Sequence, residues 1–294
     1  MQCIITFDLH YRLNLFLRSI KKFMPELPEV ETVCSGLRPH LCQRTFTNVL
    51  VREFQLRWLI PVNLAEHLIG EQIVSIQRRG KYILIQTQKG TLILHLGMSG
   101  HLKILPLNYP LETHDHLDFI FDEQLCLRFH DPRKFGAILW TTEPIEQHRL
   151  LKNLGPEPLT AEFTAENFYA RIHSRRRMIK TLIMDGHIVV GIGNIYASEA
   201  LFVAGILPTR FAHQLSLTEC RRLVNAIRQV LQQAIAQGGT SLKDFINTEG
   251  KPGYFAQALQ VYGRVNQPCY RCQQLISQQL ITQRMSYFCR HCQK

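Results

Sequence analysis

The alternation of apolar and polar residues predicts a β-rich first half. Short β-branched or aromatic runs, separated by turns such as Lys89-Gly90, are typical of strands in a sandwich or barrel. These runs lie at 45–54, 71–79, 82–88, 91–98, 116–122, 124–130 and 136–142. A helix is predicted before them, because apolar positions from Val30 to Leu37 follow helical spacing until Pro39 closes the pattern.

The pattern changes at 153–160, where glycine and two prolines indicate a linker. The apolar spacing after it is helical, and the last predicted helix is ended by Gly238-Gly239. The predicted helices are 165–174, 194–205 and 217–238. We therefore expect three domains after residues 1–23, and their predicted ranges are 24–154, 155–262 and 263–294.

Composition narrows the class of partner. The 294 residues carry a net charge of +11 and the pI is about 9.4, which favours a polyanion, nucleic acid first and an anionic membrane surface second. The longest aliphatic stretches have the length of strands, well short of the 18 or more residues of a membrane span. Five scattered cysteines indicate free thiols, so we expect a cytoplasmic, reducing location. They are Cys3, Cys34, Cys42, Cys126 and Cys220.

Two CxxC pairs near the C-terminus predict a metal site. Cys269 and Cys272 are separated by sixteen residues from Cys289 and Cys292. Two such pairs can complete a tetrahedron of thiolates around one Zn²⁺, while the segment between them suits a hairpin. Two disulfides or coincidental thiols are the alternative, and His291 is a rival ligand. A module of this size has little apolar mass, so bound zinc would supply much of its folding energy.

Eight short motifs precede the cysteine pairs along the chain. They are MPELPEVETV from Met24, RRGKY (78–82), HLGMSG (95–100), HDH (114–116), DPRKFGA (131–137), GIGNIYASEALF (191–202), GGTSLKDF (238–245) and GKPGYFAQ (250–257). Taken in order with the four cysteines, they resemble the motifs of bacterial formamidopyrimidine-DNA glycosylases, which excise oxidised purines. The resemblance spans 24–294. It implies an α+β multidomain fold: a β-sandwich, a helical domain with a helix-two-turns-helix element, and a zinc ribbon.

The resemblance also implies a catalytic set. In that family the initiator methionine is removed, so Pro25 would become the N-terminal nucleophile. A terminal amine with a pKa near 8 is partly neutral at pH 7, and it can attack C1′ and form a Schiff base. Glu26 would be the general acid and base. Lys81 matches the lysine near the lesion's phosphate that serves β-elimination, and Arg284 matches the phosphate-gripping arginine assigned to δ-elimination.

Six further positions match DNA-contacting residues of the family, namely Met98, His114, Arg133, Phe135, Arg175 and Asn194. Phe135 would wedge between bases while Arg133 probes the orphaned partner base. Periodicity alone would instead place Met98 and Phe135 in a core. Asn194 opens a helix after a glycine-rich turn, and the helix N-terminus there can hold a phosphate. The strip at 174–180 would form a basic segment near the extruded base.

The implied partner is double-stranded DNA with oxidised bases or abasic sites, bound by a bacterial, nucleoid-associated monomer. Two alternatives stay open. One is an endonuclease VIII-type enzyme for oxidised pyrimidines, and the other is a non-catalytic DNA-damage-binding protein. The second would follow if residues 1–23 stayed attached, because the Pro25 nitrogen would then be an unreactive amide. These residues do not read as a signal peptide, and we expect a misassigned start, with translation beginning at Met24.

Overall fold

A computed structural model of the chain describes residues 24–122, 124–239 and 258–294. Residues 1–23, the GKPGYFAQ motif and most of the GGTSLKDF motif lie outside the described residues.

The first helix, α1 (Leu27–Leu41), links the two larger cores. A capping box between Glu26 and Glu29 begins it, with each side chain accepting from the other's backbone amide. Leu27 packs in the helical domain, whereas later apolar positions pack in the sandwich. The helix continues two residues past Pro39, the predicted end. Because Pro39 lies in the last turn, it removes only one hydrogen bond, and the Cys42 amide still donates to the Arg38 carbonyl at 3.1 Å.

Two antiparallel four-stranded sheets form the sandwich. Their strands are β1 (Asn48–Val51), β2 (Ser75–Arg79), β3 (Tyr82–Gln86), β4 (Thr91–His95), β5 (His101–Pro106), β6 (Asp115–Ile120), β7 (Leu125–His130) and β8 (Ala137–Thr141). One sheet has the order β1-β6-β7-β5 and the other β2-β3-β4-β8. A short helix, α2 (Leu64–Leu68), follows β1. Residues such as Leu94, Phe119 and Phe129 are fully buried in one apolar core. The pattern predicted every strand except β5.

Helices with a second core form the next domain. They are α3 (Ala165–Ile172), α4 (Ile179–Ile183), α5 (Asn194–Ala204) and α6 (Leu217–Ala236). Thr164 caps α3, and Ser216 with Glu219 forms the capping box of α6. The sequence predicted α3, α5 and α6 but not α4, whose five residues are too few to show a helical period.

The C-terminal module is a hairpin of β9 (Ser277–Ile281) and β10 (Arg284–Phe288). Thr282 and Gln283 both have positive φ, 44° and 62°, as a two-residue type I′ turn requires. Its small core joins Cys269, Ile276 and Tyr287 to Phe202 of α5. Across the described ranges, no helix has the length and apolar character that crossing a bilayer demands.

Candidate active site

The Glu26 carboxylate is bound at the N-terminus of α5. It accepts from the backbone amides of Gly193 at 2.6 Å, Ile195 at 2.9 Å and Tyr196 at 3.4 Å. Unpaired amides and the helix dipole favour an anion at this position. The sequence predicted a DNA phosphate at this helix N-terminus. In the structure these three amides bind Glu26 instead, and a phosphate contact of Asn194 stays a prediction.

Two glycines of the GIGN turn allow this close approach. A Cβ on Gly193 would lie 2.4 Å from the Glu26 carboxyl carbon, so no larger residue fits without moving that side chain. Gly191 has a φ of +82°, and its carbonyl accepts from the Leu27 amide at 2.9 Å. The PELPE and GIGN motifs, far apart in sequence, are therefore halves of one site.

Buried charges surround Glu26. Burial raises its pKa from 4.5 to about 7, against the lowering effects of the Lys81 ammonium and the amide hydrogen bonds, while Glu29 raises it further. Burial also lowers the pKa of Lys81, and the carboxylates of Glu26 and Glu29 oppose that change. The Lys81 ammonium donates to the Ile192 carbonyl at 3.2 Å. Lys81 therefore lies against the turn that binds Glu26, and each of the two charges shifts the pKa of the other.

Arg284 lies within electrostatic range of two buried lysines, because its charge lowers the pKa of Lys81 and of Lys180. It is exposed at the start of β10. The ribbon hairpin thus brings a cation from the C-terminal end of the chain to a site begun near residue 25.

Lys180 is a buried cation that the sequence analysis did not single out. Its ammonium donates to Asn194 Oδ1 and Ser286 Oγ, both at 2.6 Å, and burial lowers its pKa to about 7. Asn194 in turn donates through Nδ2 to the Met285 carbonyl at 2.9 Å. The predicted phosphate-binding Asn194 therefore joins α4, α5 and the ribbon. A lysine at the end of a basic strip gave no sequence signal of burial.

His95 was also missed, although it lies inside the HLGMSG motif. Burial lowers its pKa to about 4, and the Lys81 charge lowers it further. Its Nδ1 accepts from the Gly97 amide at 2.9 Å, which requires an unprotonated nitrogen. The sandwich therefore presents a neutral imidazole next to Lys81.

Two loops at the sandwich edge bring together three of the predicted DNA-contacting side chains. Asp131 is fully buried and accepts from Ser99 Oγ at 2.6 Å and the Gly136 amide at 2.7 Å. The HLGMSG and DPRKFG loops are thereby fixed against each other. Their exposed and half-buried side chains are Met98, Arg133 and Phe135. Phe135 is 44% exposed, and the Arg133 guanidinium lies 4.8 Å from its ring centroid.

The remaining two DNA candidates are exposed. His114 has a φ of +77°, and its carbonyl accepts from the Asp131 amide at 3.1 Å, which places it beside the DPRKFG loop. Arg175 follows α3, and its Nε donates to the Arg171 carbonyl at 2.9 Å. Both side chains are exposed and remain open to a ligand on the surface.

The four cysteines converge on one point. Their Sγ atoms all lie within 4.8 Å of one another, with 3.9 Å between Cys269 and Cys292 and 3.5 Å between Cys272 and Cys289. Four thiolates about 2.3 Å from one Zn²⁺ would be about 3.8 Å apart, whereas a disulfide requires about 2.05 Å. The cluster fits a tetrahedral metal and not a pair of disulfides.

Comparison with known proteins identifies the family. The model of the formamidopyrimidine-DNA glycosylase N-terminal domain matches residues 24–138, and the model of its H2TH domain matches 154–246, together more than half of the chain. The formamidopyrimidine-DNA glycosylase of Marinomonas sp. is 53% identical over 271 residues, covering 92% of this chain and 100% of the relative. The chain belongs to the formamidopyrimidine-DNA glycosylase family. It is a DNA-repair glycosylase, as the resemblance predicted.

Other relatives agree with this family. The glycosylase of Hydrogenovibrio crunogenus is 51% identical over 92% of this chain and 97% of its own length. The crystal structure of the Thermus thermophilus MutM (Fpg) protein matches with a TM-score of 0.82 and 34% identity, covering 92% and 98% of the two chains. A Lactococcus lactis Fpg complexed with abasic-site DNA matches with a TM-score of 0.84 and 33% identity, covering 92% and 99%.

These matches confirm the predicted fold, with its sandwich, helix-two-turns-helix domain and cysteine ribbon. The predicted domain boundaries and the roles of individual residues remain predictions. The structure places Lys81 within electrostatic range of both Glu26 and Arg284, and it gathers Met98, Arg133 and Phe135 on a separate pair of loops. Asp131 orders those loops from the core, and it was not singled out from the sequence although it begins the DPRKFGA motif.

Proposed function

We propose that this glycosylase removes 8-oxoguanine and formamidopyrimidines from double-stranded DNA, acting as a monomer, and then cleaves the strand as an abasic-site lyase. The observation that supports it most is the position of the Glu26 carboxyl. It is buried at the N-terminus of α5, adjacent in sequence to Pro25 and coupled to Lys81. A proton donor and acceptor beside a terminal secondary amine is what imine chemistry at C1′ requires.

In the proposed reaction, the Pro25 nitrogen forms a bond to C1′ as the bond from C1′ to the damaged base breaks. The leaving base takes a proton, and the sugar ring then opens as O4′ takes another, which leaves an iminium on Pro25. With a pKa of about 7, the Glu26 carboxyl is partly protonated near neutrality and can both donate and accept these protons. Loss of the C2′ proton expels the 3′ phosphate, and a second elimination expels the 5′ phosphate.

Lys81 and Arg284 take the supporting roles in these eliminations. The ammonium of Lys81 would lie near the lesion's phosphate, and the Arg284 guanidinium would bind the phosphate that leaves in the second step. Lys81 interacts with the buried carboxylates of Glu26 and Glu29, and the Arg284 charge on the ribbon acts on Lys81, which supports their joint action on one sugar. Phosphate leaving groups need such cationic stabilisation as charge develops.

Extrusion of the lesion would use the paired loops of the sandwich. Phe135 would enter the base stack, Met98 would fill the space of the extruded nucleotide, and Arg133 would contact the orphaned base. The exposure of Phe135 supports this, because a core role would bury it. The DNA backbone would be contacted by His114, Arg175 and Asn194. The Asn194 side chain also accepts a hydrogen bond from the Lys180 ammonium.

We further propose that Cys269, Cys272, Cys289 and Cys292 hold one structural Zn²⁺. When bound, the metal supplies folding energy to a module whose own apolar core is small. The Gln293 side chain braces that module against the helical domain, since its Nε2 donates to the Ile206 carbonyl at 2.8 Å.

Borohydride trapping tests the nucleophile. A chain that begins at Pro25 is incubated with duplexes carrying 8-oxoguanine, an oxidised pyrimidine or an undamaged base, and the reduced adduct is mapped by mass spectrometry. We expect an adduct on Pro25, formed fastest with 8-oxoguanine. Faster trapping on the oxidised pyrimidine would favour the endonuclease VIII alternative. Tight binding with no adduct would leave a DNA-damage-binding protein.

A further inference from the structure

The turn between β2 and β3, which contains Lys81, is held by a carboxylate from another part of the chain. Glu157 lies in the linker that follows the sandwich. Its Oε1 accepts from the Gly80 amide at 2.6 Å, and its Oε2 accepts from Arg78 Nη1 at 2.6 Å. Arg79 Nη1 adds a third hydrogen bond at 3.2 Å. A single carboxylate therefore contacts three consecutive residues immediately before Lys81.

The two arginines extend this clamp. Arg78 also donates through Nε to Glu31 of α1 at 2.9 Å, and its side chain is only 9% exposed. Arg79 Nη2 donates to the carbonyls of Leu154 at 3.1 Å and Gly155 at 2.7 Å. Because these pairs are largely buried and their donors are satisfied at fixed angles, the contact is rigid and not a loose surface ion pair.

The linker itself is fixed to the loop that leads into the site. The Gly155 amide donates to the Gly186 carbonyl at 2.8 Å, and the Val190 amide donates to the Pro156 carbonyl at 3.2 Å. Val190 also lies beneath the turn, because a Cβ added to Gly80 would be 3.2 Å from the Cβ of Val190. Glu157 thus connects the β2–β3 turn to the segment that carries the GIGN turn and binds Glu26.

We propose that Glu157 is a positioning residue for Lys81. It fixes the backbone one residue before Lys81, while the Ile192 carbonyl holds the ammonium at the other end. The distance between the Lys81 ammonium and the Glu26 carboxyl is then set by the linker. The inference rests on the reaction proposed above, in which Lys81 acts at the lesion.

The test compares Glu157→Gln and Glu157→Ala with Glu219→Gln, which alters a comparably buried carboxylate paired with Arg210 in the helical domain. Single-turnover rates are measured on an 8-oxoguanine duplex and on a preformed abasic site. Lys81 accessibility is measured independently, as its rate of acetylation in the DNA-free protein by mass spectrometry. Thermal unfolding confirms that each variant is folded. The milder Gln substitution, which keeps one acceptor oxygen, retains a folded comparison if Ala destabilises the chain.

Loss of the clamp should raise the acetylation rate of Lys81 and slow 8-oxoguanine excision by about 10- to 100-fold, since a misplacement of about 1 Å at a reacting group costs on the order of a hundredfold. The abasic-site rate should fall less, and Glu219→Gln should change neither. In combination with Lys81→Ala, the Glu157 substitution should cost nothing further. Full additivity, or unchanged acetylation in Glu157→Ala, would overturn the proposal. Raised acetylation together with normal excision by Lys81→Ala would support the clamp and refute the role of Lys81 in the reaction.

Discussion

At Glu26, burial and hydrogen bonding act in opposite directions. Burial raises the pKa to about 7, so the folded protein keeps a proton that the unfolded chain releases near pH 4.5. Since the folded state binds more protons between these values, stability falls as the pH rises from about 4.5 to about 7 and then levels off. The shift of 4.5 to about 7 corresponds to about 3 kcal/mol.

We expect this loss of stability with rising pH to disappear in Glu26→Gln, which cannot titrate at this position. Urea unfolding gives the free energy of unfolding of both proteins at about pH 5 and about pH 7.5. The difference between the two proteins should change between these pH values by the amount that the parent loses. If that difference stayed constant across the interval, the carboxyl would be ionised throughout and could not serve as the acid of the reaction.

Gly193 offers a steric test of the same carboxyl. Its φ of −121° is open to any residue, so the only obstacle to Gly193→Ala is the Cβ that would lie 2.4 Å from the Glu26 carboxyl carbon. We expect the variant to fold and to excise 8-oxoguanine at least about tenfold more slowly, because the carboxyl must move. In the control Gly186→Ala, the nearest atom is 3.5 Å away and the rate should stay near that of the parent.

Among the structural elements, the ribbon hairpin depends for its stability on bound metal more than on its small apolar core. Cys272→Ser should lose bound zinc and unfold this module, while the two larger cores remain folded. Metal content by mass spectrometry and DNA binding by anisotropy measure both effects. Cys42→Ser removes a half-buried thiol outside the cluster and should retain stoichiometric zinc. Full zinc occupancy in Cys272→Ser would contradict the four-thiolate site.

Local periodicity was sufficient for most elements, and its failures have physical causes. The strand β5 is an edge strand paired only with β7, and Lys103 and the terminal Pro106 blur its alternation. The helix α5 is buried on nearly all sides, yet the apolar spacing over 194–205 was sufficient to predict it. The meeting of Glu26 with Gly193, 167 positions apart, has no local signal. Tertiary packing alone creates it.

For the whole molecule, the net charge of +11 predicts salt-sensitive binding to DNA. If Lys81, Arg175 and Arg284 each neutralise one phosphate, the logarithm of the binding constant should fall with the logarithm of salt concentration at a slope of about −2.7. Arg175→Ala should reduce that slope by about 0.9. Arg221, which is already paired with Glu166 at 2.9 Å, provides the control whose loss should leave the slope unchanged. A flat response in the parent protein would separate the charge from DNA binding.

Whether the whole chain can cleave DNA as well as bind it depends on the Pro25 nitrogen. The relatives from Marinomonas sp. and Hydrogenovibrio crunogenus align over 271 residues, and the N-terminal family model begins to match at Met24. In a chain held to start at Met1, Phe23-Met24 acylates Pro25, and an amide nitrogen has no lone pair for attack on C1′. That chain should bind lesion-containing DNA through its cationic surface and wedge loops, yet form no iminium.

A chain started at Met24 should lose the methionine, expose the secondary amine and be trapped by borohydride on an 8-oxoguanine duplex. Intact mass must verify both N-termini, because processing of the longer chain would restore the amine. Anisotropy on the same duplex shows whether affinity is equal in the two forms. If the verified, unprocessed chain were trapped as efficiently as the short one, Pro25 could not be the nucleophile. A lysine would then have to form the Schiff base, and Lys81, with its pKa lowered by burial beside Glu26, would be the first to replace by alanine.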